Sequence, residues 1–286
     1  MKRRITLTLL IAMLCFCETF AQAQSISVAG ELPPIKMTPK KVYDTAHIWV
    51  YYEYSFRKDS TKEKRTEGQT ILQIGERFLG FADYYRMEID HLNDSLCEAK
   101  RPSMEFFTLG MGLYRNVAYK MPLVVDLQNK QATVQIDNIS NYEYTQPLPT
   151  IDWQTIDADT TLCDVPCKKA TCRFGGREWT AWYAPTFRLP YGPYLFGGLP
   201  GLIFDIRDTK DNYHFSLNGV DNLKVGTEIY LEKKKDIIRT SREKARRAVE
   251  NEQSDVMKAL QMRHPDDKYP TMDGNRSRPY NPLELE

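Results

Sequence analysis

Three cysteines stand close together, Cys163, Cys167 and Cys172, in the spacing C-x3-C-x4-C, with a fourth at Cys97. A structural zinc site wants paired short spacings and a fourth soft ligand. No histidine lies near the cluster; the four are His47, His91, His214 and His264. The same gap argues against a thiol nucleophile, which needs a base held beside it. An even set of cysteines in an exported chain instead predicts disulfides. The expectation is at least one bond within Cys163, Cys167 and Cys172, tying the segment before the hairpin to its first strand, with Cys163–Cys172 closing a ten-residue loop and Cys167–Cys172 a tighter one. Cys97 is expected to pair with whichever is left over if the fold brings it close enough. Carboxylates for hydrolysis can be drawn from Asp152, Asp157, Asp159 and Asp205, but a polar linker beside a strand collects such acids without a site. Neither G-x-S-x-G nor H-E-x-x-H occurs. Arg177 reads as an ion-pair partner for Glu178 or Asp205, a structural pair at a sheet edge. The residues expected to face a ligand are Trp49, Tyr51, Tyr191, Tyr194 and Arg177, with no catalytic set, metal or cofactor predicted.

The elements that must position these residues are mostly strands. From Ala46 to Phe56 the chain alternates strictly: Ala46, Ile48, Val50, Tyr52, Tyr54 and Phe56 on one face, and His47, Trp49, Tyr51 and Glu53 on the other. Period two with aromatic and β-branched residues is a β-strand. Because Trp49 and Tyr51 make the second face amphipathic, it is the face expected to line a binding surface. Strands are also predicted near 70–74, 114–119, 123–127, 132–136 and 142–145. In the second half, Gly175-Gly176 supplies positive φ for a tight hairpin between 167–174 and 177–183. Further strands follow at 202–207, 213–217 and 228–231. Two helices are expected. One carries Tyr85, Ile89, Leu92 and Leu96 at helical spacing, with Asp83 as its N-cap. The other runs from about Ser241 to Met262, opened by a capping box of Thr240 and Glu243, and its basic residues read as a solvated face.

The chain has 286 residues, with 39 Lys and Arg against 38 Asp and Glu. That balance gives no electrostatic case for nucleic acid. Lys2, Arg3 and Arg4, the apolar run from Ile5 to Phe16, and Ala21-Gln22-Ala23 read as a secretory leader cut near Ala23. The apolar run is too short to span a bilayer, and no later stretch is longer, so no transmembrane span is expected. The organisation read from these signals is a leader over 1–23, a flexible lead-in over 24–41, one β-rich domain over 42–263 with a possible subdivision near 149, and an irregular tail over 264–286.

The segment from Cys167 to Ile206 is unlike the rest. Gly198-Leu199-Pro200-Gly201-Leu202-Ile203 spells a motif, and around it stand Gly176-Arg177, Ala181-Trp182-Tyr183, Gly192-Pro193 and Phe196. Near the carboxy terminus stands Tyr280-Asn281-Pro282-Leu283-Glu284-Leu285. In these residues the chain resembles the GLPGLI family of exported Bacteroidetes-type proteins, over most of its length after the leader. The resemblance implies an exported protein, and by association with some members an accessory role beside a TonB-dependent outer-membrane receptor. It assigns no catalytic residues. Read by itself, Leu199-Pro200-Gly201-Leu202 predicts a type II turn with Gly201 at φ > 0, feeding a strand whose core face carries Leu202 and Phe204. Gly192 and its neighbours permit close backbone approach, so the loop reads as architecture before ligand contact.

These readings converge on a mainly β, α+β chain. Its expected form is a curved antiparallel sheet or incomplete β-barrel closed by one or two helices, with a β-sandwich as the alternative. The expected function is that of an exported envelope protein, in the periplasm or at the outer membrane, with a non-enzymatic binding or accessory role. Its expected partners are an outer-membrane receptor or another envelope protein, and an amphipathic ligand. A carboxylate-dependent periplasmic hydrolase is the alternative. A wall of Tyr, Trp and Phe with few titratable groups would favour binding; clustered His, Asp and Glu would favour the enzyme.

Overall fold

The computed structural model describes residues 34–265 and 277–286. The leader, the lead-in up to residue 33 and part of the tail lie outside the described residues. Residues Ile35–Glu286 form one compact unit. Its strands are β1 (Lys40–Phe56), β2 (Thr66–Ile74), β3 (Phe78–Asp83), β4 (Leu123–Asp126), β5 (Gln131–Asp137), β6 (Asn141–Pro147), β7 (Gln154–Leu162), β8 (Val165–Phe174), β9 (Arg177–Ala184), β10 (Leu202–Asp208), β11 (Tyr213–Glu232) and β12 (Ile238–Arg239). Four helices join them: α1 (Tyr84–Glu98), α2 (Ser103–Tyr114), α3 (Arg242–Ser254) and α4 (Val256–Arg263).

All twelve strands belong to one sheet in the order β12-β6-β5-β4-β3-β2-β1-β11-β10-β9-β8-β7. Every pairing is antiparallel except β12 with β6. The sheet is large, open and curved; it neither closes into a barrel nor splits into a sandwich. β1 and β11 form its spine, running from Lys40↔Glu232 to Phe56↔Tyr213 with three register shifts. Irregularities of this kind bend and twist a ladder. The strands on either side of residue 149 lie in the same sheet.

One face carries the main core. Val50, Tyr52 and Tyr54 of β1, Phe81 of β3, Val134 of β5, Trp179 of β9 and Phe215 of β11 are all buried there. Register explains the grouping: Tyr54 pairs with Phe215 and Phe56 with Tyr213, and directly paired residues share a face. Over this face lie α3, through Ala245 and Val249, and the loop from 185 to 201, through Phe196 and Leu199. The opposite face carries a smaller cluster of Ala46, Val124, Ile229 and Leu231.

Local signals formed as their chemistry requires at several points. Asp83 caps α1, accepting from the Arg86 N–H at 3.2 Å. Gly175 and Gly176 take φ of +57° and +72° between β8 and β9. Other expectations are corrected. Residues 114–119 are not a strand: the chain there leaves α2, an additional helix over Ser103–Tyr114. The last predicted helix is two, because the chain breaks at Asp255 (φ −144°, ψ 84°), whose side chain caps α4. Its first turn is capped by Ser241 rather than Thr240, since the Thr240 N–H is taken by the Glu143 carbonyl at 3.1 Å.

The turn at Pro200 is also different. Gly201 does not adopt positive φ; among the motif glycines Gly198 does, at +91°. The Gly201 N–H donates to the Leu199 carbonyl at 2.8 Å, closing a three-residue turn centred on Pro200. Glycine is needed at 201 for space, since a Cβ there would stand 2.2 Å from the Ala184 carbonyl oxygen. At Gly192 a Cβ would stand 2.7 Å from the Ile203 side chain. Leu202, Ile203 and Phe204 are all buried, because a register shift between Ile203 and Asp205 interrupts the alternation.

The four cysteines in the described residues are free, which corrects the disulfide expectation. Cys167 and Cys172 lie in the same strand, β8, five residues apart, or about 16 Å at strand rise, far beyond the ~4.4–6.8 Å a disulfide spans between Cα atoms. Cys163 sits in the β7–β8 turn at φ +49°, farther still along the chain from Cys172. Its sulfur lies 3.7 Å from the Leu217 carbonyl. Cys97 is on α1, its sulfur 3.4 Å from the Ile35 carbonyl.

Candidate functional site

On the core face, where β1, β5, β6 and β11 meet α3 and the C-terminal segment, lies a cavity of about 480 Å³, within the size range of small-molecule sites. Its wall is aromatic: Tyr54 and Phe56 from β1, Tyr119 from the segment after α2, Tyr144 from β6, Tyr194 from the loop before β10, Tyr213 from β11 and Tyr280 from the tail. Tyr54 stacks on Phe215 (5.0 Å between centroids) and Phe56 on Tyr213 (5.6 Å). Tyr119 stands edge-on to Tyr54 and Phe81. Cations also line the cavity, Lys58, Lys120, Arg246 and Arg278. The two acids lining it are already occupied: Asp137 by Lys234, and Glu284 by Arg242 and the Tyr194 hydroxyl.

Burial raises the pKa of Tyr54, Tyr119, Tyr144, Tyr194 and Tyr213. These hydroxyls are therefore neutral hydrogen-bonding groups at physiological pH. The Tyr119 hydroxyl is buried and has no hydrogen-bond partner among the described residues, although such groups are nearly always paired. Tyr194 holds a left-handed backbone, φ +56°, an uncommon state for a bulky residue. It places its hydroxyl on Glu284.

One wall of the cavity is the C-terminal segment itself, and Arg177 is what fastens it. The Arg177 side chain is almost fully buried on β9. Its Nε donates to the Leu283 carbonyl at 2.9 Å, and one terminal nitrogen donates to the Pro282 carbonyl and to Asn281 Oδ1, each at 2.6 Å. The other meets Asp208 at 3.2 Å. The Tyr213 hydroxyl donates to the Asn281 carbonyl at 2.5 Å. Asn281 in turn donates to the Arg57 carbonyl at 2.7 Å, and the Leu285 N–H to the Gly175 carbonyl at 2.6 Å. Arg246 of α3 donates to the Glu284 carbonyl at 2.7 Å. The basic side of α3, expected to be solvated, thus partly turns inward onto the tail.

The residues expected to face a ligand do not come together. Tyr194 lines the cavity. Arg177 clamps the tail behind it and pairs with Asp208, not Asp205. Tyr191 is partly buried beside the core and bridges Gly197. Trp49 and Tyr51 lie on the opposite face: Trp49 donates to Thr227 at 2.8 Å and Tyr51 to Asp221 at 3.1 Å. Asp205 is held there too, 2.5 Å from His214 Nε2, while Glu178 stands 3.9 Å from Arg173. Asp152, Asp157 and Asp159 are exposed. The motif residues Gly192 to Ile203 build the floor beside the cavity: the Ile203 carbonyl accepts from Tyr52 at 2.8 Å, and the Leu202 N–H from this segment reaches the Phe187 carbonyl at 3.1 Å. Among the described residues no group of three or more His, Cys, Asp or Glu is placed to hold a metal ion.

No family model matches the sequence, and no curated protein matches it. Solved structures of PNGF-II in two space groups are similar to the chain at a TM-score of 0.45, with 10% and 12% identity over 72% of this chain. The chain spans 33% of the length of each. Likeness at this level says nothing of what the chain does.

Proposed function

We propose that the protein is an exported envelope protein that binds an amphipathic molecule without transforming it. The observation that carries this reading is the cavity wall. Seven aromatic side chains supply an apolar body, no histidine joins them, and Lys120 and Arg246 supply positive charge for an anionic or strongly polar head. Aromatic surfaces with a few placed polar groups are what such ligands need. The Tyr119 hydroxyl offers a hydrogen bond that no other described residue takes up. Support for export comes from the leader Lys2 to Ala23, and support for a role beside an outer-membrane receptor comes from the resemblance to GLPGLI-type proteins. The hydrolase reading draws less, since Asp157 and Asp159 are exposed on the edge strand β7 and Asp205 is tied to His214 on the other face.

The test is mass spectrometry, under non-denaturing conditions, of tagged protein taken from its native envelope. The expected species is a chain beginning near Gln24 with one amphiphile bound. Ligand-free protein would count against binding, and a retained leader would count against export.

A further inference from the structure

Helix α2 is the part of the molecule the cavity does not use. Its sequence, Ser103 to Tyr114, holds one charged residue, Glu105, and that is bound by Arg101 at 2.7 Å. The helix rests on α1, yet Gly110 is its one buried residue. Met104, Phe107, Leu109, Met111 and Tyr114 are 39% to 50% exposed. They are five of the thirteen large apolar side chains exposed among the described residues, gathered on twelve positions. A helix apolar all round belongs in a core or in lipid, and a solvated face of this kind marks an interaction site.

Charge decides between occupants. The stretch from 99 to 121 carries Lys100, Arg101, Arg115 and Lys120 against the single acid Glu105, in a chain that is close to neutral. A second copy of the chain packed face to face would set Arg115 beside Lys100 and Arg101 of its mate, and like charges oppose that isologous contact. An anionic lipid surface meets both features: headgroups take the basic ends, and the acyl boundary takes the apolar side chains. The helix is about 18 Å long, short of the ~30 Å of a hydrocarbon core, so it lies in the interface and does not span. We infer that α2 docks the protein on an anionic bilayer surface through Met104, Phe107 and Met111, which share one face at i, i+3 and i+7, flanked by Lys100 and Arg115. Val117 to Met121, which line the cavity, begin three residues after the helix ends, so docking brings that stretch to the membrane.

The test is vesicle flotation of protein beginning at Gln24, which retains the whole compact unit. Vesicles are phosphatidylcholine alone, or with one part in three of phosphatidylglycerol. Wild type is expected to float with the anionic vesicles and to leave them as salt is raised. Met104→Glu/Phe107→Glu/Met111→Glu changes exposed side chains of one helix face, and its partitioning is expected to fall about ten-fold or more. Lys100→Ser/Arg115→Ser is expected to lower the preference for anionic vesicles about five-fold or more. Wild type that stays at the bottom of the gradient, or a triple variant that floats like wild type, would overturn the inference. So would wild-type dimers that the triple variant dissolves without any flotation, because the face would then belong to a second copy.

Discussion

Replacing Arg177 by methionine keeps much of the side chain's length and removes its fork. In the native protein that fork makes four contacts of 2.6 to 3.2 Å, three of them to Asn281, Pro282 and Leu283. Each hydrogen bond from a buried charged donor is worth roughly 1.5–3 kcal/mol, but the contacts share one group and do not add. Asp208 would lose its ion pair while buried. It would keep the backbone N–H groups of Asn212 and Tyr213, at 2.6 and 2.7 Å, which limits the cost. Breaking a buried pair from one side costs about 3–5 kcal/mol. For a domain of this size that lowers Tm by roughly 6–20 °C. Losing the clamp also frees the cavity wall at 281–284, so amphiphile binding should weaken with it. Arg177→Lys should fare little better, because an ammonium cannot reproduce the planar fork. Differential scanning calorimetry of both variants is the assay. A methionine variant melting within about 2 °C of wild type would refute the clamp.

Other outcomes follow from the same geometry. Gly201→Ala forces a Cβ to 2.2 Å from the Ala184 carbonyl and should cost more than ~3 kcal/mol, whereas Gly198→Ala has open space and should pay only backbone strain of about 1–2 kcal/mol; denaturant melts order the two, and the reverse order contradicts the turn described. Burial raises the Asp90 carboxyl to about 6, opposed by Arg86. The folded chain therefore binds a proton that the unfolded chain has lost above about pH 4. Stability from this group is greatest below that pH and declines as pH rises through 6, so Asp90→Asn should remove about 1–3 kcal/mol of pH dependence over that window. Alkylation of native protein should mark exposed Cys163 first, with Cys172 protected because burial pushes its thiol up to about 12. Four free thiols should titrate after unfolding, and a count of two would restore a disulfide.

What was legible in the chain was local. Asp83 before a helical stripe, Gly175-Gly176 between two strand runs, and the alternation from Ala46 to Phe56 each carry their own geometry, and the structure follows them. Helix α2 was not legible, because Phe106-Phe107-Thr108-Leu109-Gly110-Met111 is apolar without a period and two glycines lower its helix propensity. The cavity was half legible. Both faces of β1 are aromatic, and which one is enclosed depends on Phe215, Tyr213 and Tyr119, partners far along the chain. Tyr54 and Phe56 share one face with those partners, while Trp49 and Tyr51, half-buried on the other, look in the sequence equally suited to a ligand. The role of the ending Asn281 to Glu284 depends on Arg177, 104 residues before Asn281, and no local pattern announces a contact of that span. Gly201 was identified for the wrong reason: its need is space beside Ala184, which only the β9–β10 pairing creates.

Calorimetric titration with dodecyl phosphate, kept below its micellar concentration, tests the binding cavity most directly. Wild type should bind one molecule saturably, with a negative heat-capacity change from apolar burial. Val117→Trp, which fills the cavity from a half-buried position on its wall, should abolish the heat while melting like wild type. Absence of saturable heat in wild type, or equal binding by the folded Val117→Trp protein, would contradict the account.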